Sequence, residues 1–230
     1  MKVVILAGGK GIRLGDKYKN IPKPFVKIRK TSIIEKLIIF FNFYGYNEFV
    51  ICCDNRVNIA KKLINKSLIN NNKIKFVNTG QNSNTSLRIF KVKKYIKDEN
   101  FFLTYGDGIS DIDLNQLVTS HKKNKKLITI SCYPFTPDKG ILKFNQNKNS
   151  YKFYEKTIMK DYWVNIGFFI INKKILDKIG SNNISFEETL LKKHITKNKV
   201  NFYKHKGMWQ YLDTAKDLQK LKKLEKLNLL

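Results

Sequence analysis

Cysteine, histidine, proline and arginine are all scarce in this chain, and each shortage closes off a class of function. Three cysteines in 230 residues, Cys52, Cys53 and Cys132, cannot supply a disulfide framework. Cys52 and Cys53 are neighbours on an expected strand, so their side chains point to opposite faces and do not share a metal. His121, His194 and His205 show no metal-ligand spacing, which argues against zinc. No window approaches 18 uncharged apolar residues, so no membrane span is expected. The first apolar run, Val3 to Ala7, is too short for a secretory signal and breaks into glycines, which makes the cytoplasm the expected compartment. Pro- or Ser-rich linkers, internal repeats and composition breaks are also missing, so residues 1–230 are expected to form a single domain.

Acidic residues are few as well. Eighteen Asp and Glu stand against 45 Lys and Arg, a net charge of +27. Such a charge invites a nucleic-acid reading, but the residue types oppose it. The basic residues are 41 Lys and 4 Arg, beside 25 Asn and 28 Ile, the amino acids of A/T-rich codons. A groove reader would use more of the planar arginine fork. The lysines are spread along the chain and read as solvated surface, with no specific nucleic-acid partner. Their summed field still attracts polyanions, nucleotides included.

What is present is an alternation of strand and helix. Lys2–Leu6 reads as a buried strand, followed by helix Ser32–Tyr44 with Ser32 and Glu35 as a capping box. Strand Glu48–Cys53, helix Val57–Ser67, strand Lys73–Val77, helix Ser86–Lys97, strand Asn100–Tyr105, helix Asp113–Asn124 and strand Leu127–Cys132 continue the series. From Gly140 the rhythm changes. Ile141–Phe144, Tyr151–Glu155 and Val164–Ile171 are expected to form a smaller antiparallel or mixed layer appended to the first sheet. A capped helix Ser185–Thr196, strand Val200–Lys204 and a terminal helix from Ala215 close the chain. The pattern predicts a Rossmann-like, doubly wound α/β fold with a mostly parallel sheet and ligands at the carboxyl ends of its strands. Residues 1–133 would form the nucleotide-binding half and 134–230 the acceptor-binding half. Leu218, Leu221, Leu224 and Leu227 recur every third residue on the last helix, for packing on the parent domain or for a subunit contact.

Chemistry concentrates after the first strand. Leu6-Ala7-Gly8-Gly9-Lys10-Gly11-Ile12-Arg13-Leu14 lacks the ending of a P-loop and the glycine spacing of a dinucleotide site. Its glycines let backbone N–H groups approach a phosphate chain. Eight basic residues and one acid lie between Lys10 and Lys30. By composition alone a solvated loop fits this segment as well; the glycine run tilts it towards phosphate. Asp107, in Tyr105-Gly106-Asp107-Gly108, ends a strand, and Asp213 precedes the last helix. Read alone they are a turn residue and a helix cap. As a pair of hard oxygen ligands they suit Mg²⁺ that keeps waters and binds phosphate oxygens.

Leu-Ala-Gly-Gly-x-Gly-x-Arg-Leu followed by Pro22-Lys23-Pro24 resembles the signature of the sugar-phosphate nucleotidyltransferases. The resemblance implies that Leu6, Ala7, Gly8, Gly9, Gly11 and Gly106 border the nucleotide. It also implies that Arg13 holds the outer phosphates, that Lys23 reaches the reacting phosphate, and that Asp107 and Asp213 hold Mg²⁺. The stretch Thr79-Gly80-Gln81-Asn82-Ser83-Asn84-Thr85-Ser86-Leu87-Arg88 is similar to that of glucose-1-phosphate cytidylyltransferases, as are Thr104–Gly108 and Trp209-Gln210 before Leu212-Asp213-Thr214. CTP is therefore the expected donor, with Thr79 and Gly80 at the cytosine edge and Arg88 near the nucleotide. Glu155-Lys156 matches the pair that meets a sugar hydroxyl and the acceptor phosphate, and Gly140 and Asn165 match residues beside the sugar. Thr157 stands where the family has proline, and Ile166 stands in place of a glycine, adding bulk beside the sugar. The implied partners are CTP and a phosphorylated small molecule, in a homo-oligomer. The rivals are the same chemistry on another phosphate acceptor, another nucleotide donor, and a non-catalytic nucleotide-binding regulator.

Overall fold

The computed structural model describes residues 1–9, 14–145 and 149–227. Its centre is a seven-stranded sheet in the order β10-β6-β9-β4-β1-β2-β3. The strands are β1 (Val3–Leu6), β2 (Glu48–Cys53), β3 (Lys73–Asn78), β4 (Asn100–Tyr105), β6 (Ile128–Pro134), β9 (Trp163–Asn172) and β10 (Val200–Lys204). β1 pairs in parallel with both β2 and β4, β2 with β3, and β6 with β10; β9 alone runs antiparallel, between β4 and β6. The chain winds from β1 outward to β3 and then returns to the other side of β1 as β4. The strand order therefore reverses beside β1, and a crevice opens at the carboxyl ends of β1 and β4.

Alternating side chains fill both faces. Val3, Ile5, Phe49, Ile51 and Cys53 belong to one core, while Val4, Val50 and Cys52 belong to the other. The helix α1 (Ile33–Phe43) buries Ile33, Ile34, Leu37, Ile38 and Phe41 in the first core. Its start is fixed by the expected capping box: Glu35 Oε2 accepts from the Ser32 backbone N–H at 2.7 Å and from Ser32 Oγ at 2.8 Å. The terminal helix α7 (Ala215–Lys226) buries Leu218 and Leu221, whereas Leu227 at its end is exposed. The leucine row thus docks its first half on the parent domain. No helix among the described residues is long and apolar enough to cross a membrane.

Three expectations need correction. β9 is a central strand rather than part of an appended layer, because Ile166–Ile171 is apolar on both faces and buried on both. Only β7 (Ile141–Asn145) and β8 (Ser150–Tyr154) form a separate antiparallel ribbon on that side. The expected helix 57–67 is two, α2 (Val57–Leu63) and α3 (Lys66–Asn70). Asn65 breaks it: its N–H turns aside to Glu35 Oε1 at 3.0 Å and its side chain caps Ser67 N at 2.9 Å. The helix expected over 185–196 begins with a π-helical turn, Glu187–Leu191, before α6 (Lys192–Thr196). Two further helices complete the fold, α4 (Thr85–Val92) and α5 (Leu114–Asn124). Asp113 caps α5 by accepting from Asn115 N and Gln116 N.

A second small ribbon, β5 (Gly108–Ser110) against β11 (Trp209–Tyr211), escaped the sequence reading. It pairs Gly108 with Tyr211, and the Leu212 N–H continues the ladder to Asp107 O at 2.8 Å. Two segments a hundred residues apart are thereby zipped together, with Asp107 and Asp213 at the same end.

Candidate active site

The glycine turn leaves β1 at the reversal of strand order and is braced from behind by arginine. Arg88, on α4 and 6% exposed, donates through Nη2 to Gly8 O at 2.7 Å, and through Nη1 to Thr79 Oγ1 at 2.6 Å and Cys53 O at 3.4 Å. Arg56 donates through Nη2 to Gly9 O at 3.3 Å while its guanidinium also grips the buried carboxylate of Asp54. In a trans peptide the N–H lies opposite the C=O, so anchoring Gly8 O turns the Gly9 N–H away from Arg88. Leu6, Gly8 and Gly9 line an open cavity of about 480 Å³ together with Lys23, Pro24, Thr85, Tyr105 and Asp107. Ala7 is fully buried, its N–H donated to Cys52 O at 2.9 Å. Gly11 and Arg13 lie outside the described residues.

Lys23 closes the opposite wall. Pro22-Lys23-Pro24-Phe25 makes one 3₁₀ turn, with Pro22 at φ −59° and Phe25 packed into the core. A proline on each side restricts the Lys23 backbone and sets the direction of its side chain. Gly106 permits this approach: a Cβ there would stand 3.0 Å from Pro24 Cγ and 3.0 Å from Leu6 O. The Lys23 ammonium reaches Asp107 Oδ2 at 2.6 Å and Asp213 Oδ1 at 3.4 Å. Two carboxylates separated by 106 positions thus converge on one cation. Both are about one-third exposed (36% and 35%), open enough to exchange partners with a ligand. Among the described residues no third His, Cys, Asp or Glu joins them in a metal-ligating group. Two carboxylates and open solvent suit a hard cation that keeps waters and takes phosphate oxygens, and do not suit a closed protein cage.

On the side expected to read the base, the structure separates residues that the sequence reading grouped. Thr79 is fully buried behind the cavity, its hydroxyl donating to Cys53 O at 2.6 Å and accepting from Arg88. Its carbonyl is taken by Lys91 Nζ at 2.7 Å. Thr79 therefore supports the wall and presents no group to a base. Gly80 holds a φ of +93°, beyond which Gln81, Asn82, Ser83, Asn84 and Thr85 line the cavity. Arg88 does border the cavity, and three of its five N–H donors are given to Cys53 O, Thr79 Oγ1 and Gly8 O.

Asn165 sits where β9 bulges against β6, its Oδ1 accepting from Gly167 N at 2.8 Å and its Nδ2 donating to Tyr105 Oη at 3.1 Å. Gly167, at φ +83°, is required there, since a Cβ would stand 2.5 Å from Tyr105 Cδ2. Ile166 points the other way, 3% exposed within the first core, so it adds no bulk beside Asn165. Gly140, Glu155 and Lys156 form a group of their own on the β7–β8 ribbon: a Cβ on Gly140 would meet Phe153 Cζ at 2.4 Å and Glu155 Oε2 at 2.8 Å. Glu155 and Lys156 are exposed and do not line the cavity.

A family model described as nucleotidyl transferase matches residues 2–225. The chain belongs to this family. As a nucleotidyl transferase it is 31% identical to a probable glucose-1-phosphate cytidylyltransferase of Bacillus subtilis, over 97% of this chain and 96% of the relative. It is 27% identical to the D-glycero-alpha-D-manno-heptose 1-phosphate guanylyltransferase of Campylobacter jejuni, over 83% of this chain and 85% of that one. The fold matches the crystal structure of HddC from Yersinia pseudotuberculosis with a TM-score of 0.76 at 24% identity, over 96% of this chain and 98% of that one. Sequence reasoning missed Thr85 and Tyr105 as cavity residues, although both stand inside the motifs that carried the family signature.

Proposed function

We propose that this nucleotidyl transferase is a cytidylyltransferase that moves CMP from CTP to a sugar 1-phosphate resembling glucose 1-phosphate, releasing pyrophosphate and forming a CDP-sugar in the cytoplasm. The observation that carries the reading is the convergence of Lys23, Asp107 and Asp213 across the cavity from the glycine turn. The similarity to glucose-1-phosphate cytidylyltransferases supports the choice of donor and acceptor.

An acceptor phosphate oxygen attacks the α-phosphorus in line, and the bond to the β-phosphate oxygen breaks. The acceptor is already anionic at neutral pH, so no side chain has to remove a proton. Catalysis then consists of positioning and of neutralising charge. The glycine turn offers backbone donors to the phosphates, Lys23 neutralises the oxygens of the reacting group, and Arg13 is assigned to the outer phosphates. Asp107 and Asp213 would hold Mg²⁺, which supplies further positive charge to the phosphate oxygens. Glu155 and Lys156 meet the acceptor from the β7–β8 ribbon, with Gly140 and Asn165 beside the sugar.

Pyrophosphate release measured with CTP, UTP, dTTP, GTP and ATP against a panel of sugar 1-phosphates tests this directly. CTP with glucose 1-phosphate is expected to lead, and to stop when magnesium is chelated. Preference for GTP, as the name of the Campylobacter relative would suggest, overturns the donor assignment alone. Release with no pair overturns the transferase reading.

A further inference from the structure

Behind the cavity wall, Glu187 opens the π-helical turn and gathers hydroxyls from two sides of the site. One carboxylate oxygen accepts from Tyr105 Oη; the other accepts from Thr85 Oγ1 at 2.7 Å and Ser185 Oγ at 2.8 Å. Tyr105 ends β4 and Thr85 begins α4, and both line the cavity. A carboxylate accepts and does not donate, so each hydroxyl spends its single proton on Glu187. Tyr105 Oη is left as an acceptor and takes one Nδ2 hydrogen from Asn165. Asn165 Oδ1 is held by Gly167 N, which fixes the direction of its amide and leaves its second Nδ2 hydrogen for a ligand. Thr85 Oγ1 in turn accepts from Phe186 N at 2.8 Å, which pins the start of α4 to the segment carrying Glu187. The same helix carries Arg88 to the glycine turn.

We propose that Glu187 is a positioning residue that couples the two substrates, through Tyr105 and Asn165 on the acceptor side and through Thr85 and α4 on the nucleotide side. This inference rests on the transferase reading. Ordering one arm fixes the shared carboxylate, so the second ligand meets an arm already set; each ligand then tightens the other by the same factor.

The test is calorimetric titration with Mg²⁺ and α,β-methylene CTP, whose bridging carbon prevents turnover, with and without glucose 1-phosphate. In the wild type glucose 1-phosphate is expected to tighten the analogue about 10-fold. Tyr105→Phe should weaken glucose 1-phosphate alone and Thr85→Val the analogue alone. Glu187→Gln should weaken both and reduce the coupling factor to less than about 2-fold. A folded Glu187→Gln protein that keeps the wild-type coupling factor overturns the inference, as does a wild type in which neither ligand affects the other. A purely structural role would lower the melting temperature and leave that factor intact. If Glu187→Gln does not fold, the Tyr105→Phe/Thr85→Val double mutant decides: coupling that survives in it refutes the shared carboxylate, and coupling that vanishes supports it. Wild-type binding of both probes without pyrophosphate release from CTP sinks only the transferase reading. Release with coupling that survives Glu187→Gln sinks only this one. Binding of neither probe sinks both.

Discussion

Gly8 and Arg88 are expected to be thermodynamically inseparable. Gly8 is absent from the glycines with positive φ, so alanine meets no backbone obstacle there. The obstacle is spatial: an added Cβ would stand 1.9 Å from Arg88 Nη1, 2.3 Å from Cζ and 2.7 Å from Nη2. The guanidinium must move, and it cannot do so cheaply. Moving breaks its bonds to Thr79 Oγ1 and Gly8 O, which as hydrogen bonds to a charged group contribute about 1.5–3 kcal/mol each. Gly8→Ala should therefore cost about 3–5 kcal/mol, a large share of the roughly 5–15 kcal/mol that holds a domain together. Arg88→Met removes the same bonds but also the burden of burying a charge, and should cost about 2–3 kcal/mol. In the Arg88→Met background the clashing atoms are gone, and Gly8→Ala should cost less than about 1 kcal/mol. The coupling between the two substitutions is then about 3 kcal/mol, read from urea midpoints of the four proteins at constant m-value. By the same reasoning Gly8→Ala alone should lower the melting temperature by about 10 °C. Costs that add to within about 0.5 kcal/mol would refute the claim that the arginine fills the space above this glycine.

Lys23→Ala and Asp107→Asn should each cut pyrophosphate release about 10²–10³-fold while leaving the circular dichroism spectrum unchanged; near-normal turnover in either would remove that residue from the site. Glu35→Ala removes the acceptor for Ser32 N, Ser32 Oγ and Asn65 N at once, and should destabilise by about 2–4 kcal/mol in urea; a loss under about 0.5 kcal/mol would mean water replaces all three bonds. Burial of His121, between Thr129 Oγ1 and Asn100 Oδ1, pushes its ring below the ordinary value of 6.5, against a weaker pull from Glu99. The unfolded chain then binds the proton more readily, so this contribution is complete above pH 6.5 and is lost as pH falls through 6.5 towards the depressed folded value. Between pH 7.5 and 5.5 the wild type should lose more stability than His121→Gln; parallel losses would mean that the ring is protonated where it lies.

The first half of the fold was legible because its signals are local. Ser32 with Glu35, and the apolar runs at Val3, Phe49 and Phe101, each report on a few neighbouring residues, and all appear in the structure as expected. The misassignments share a different cause. Whether the run from Ile166 to Ile171 joins the main sheet or a separate layer depends on what lies beside it, and periodicity is silent about neighbours. The β5–β11 ribbon is three residues on each strand, too short for any pattern to reveal. Asn65 broke a helix through a bond to Glu35, thirty positions away. The site behaved in the same way. Lys23, Asp107 and Asp213 were singled out by residue type and motif, and the structure brings the three together, whereas Thr79 was assigned to the base from its motif alone. Its burial behind Arg88 is a tertiary fact. Glu187 carried no sequence signal, since its partners come from positions 85, 105 and 185.

The lysine-rich composition that imitates a nucleic-acid binder also points to the residues that depart from it. In a chain with 41 lysines, each of the four arginines occupies a position where lysine did not take over. Two of those four, Arg56 and Arg88, hold consecutive carbonyls of the glycine turn. Lysine carries its donors on one atom, so all its partners must gather around that single nitrogen. Arg88 has to satisfy Gly8 O and Thr79 Oγ1 from different nitrogens, and Arg56 has to span Asp54 and Gly9 O; both tasks need the planar fork. The basic residues are then two populations. The lysines give a diffuse field that any polyanion feels. Lys23, locked between two prolines, and the paired arginines, locked behind two glycines, give that field a fixed geometry at one place, the reversal of strand order beside β1.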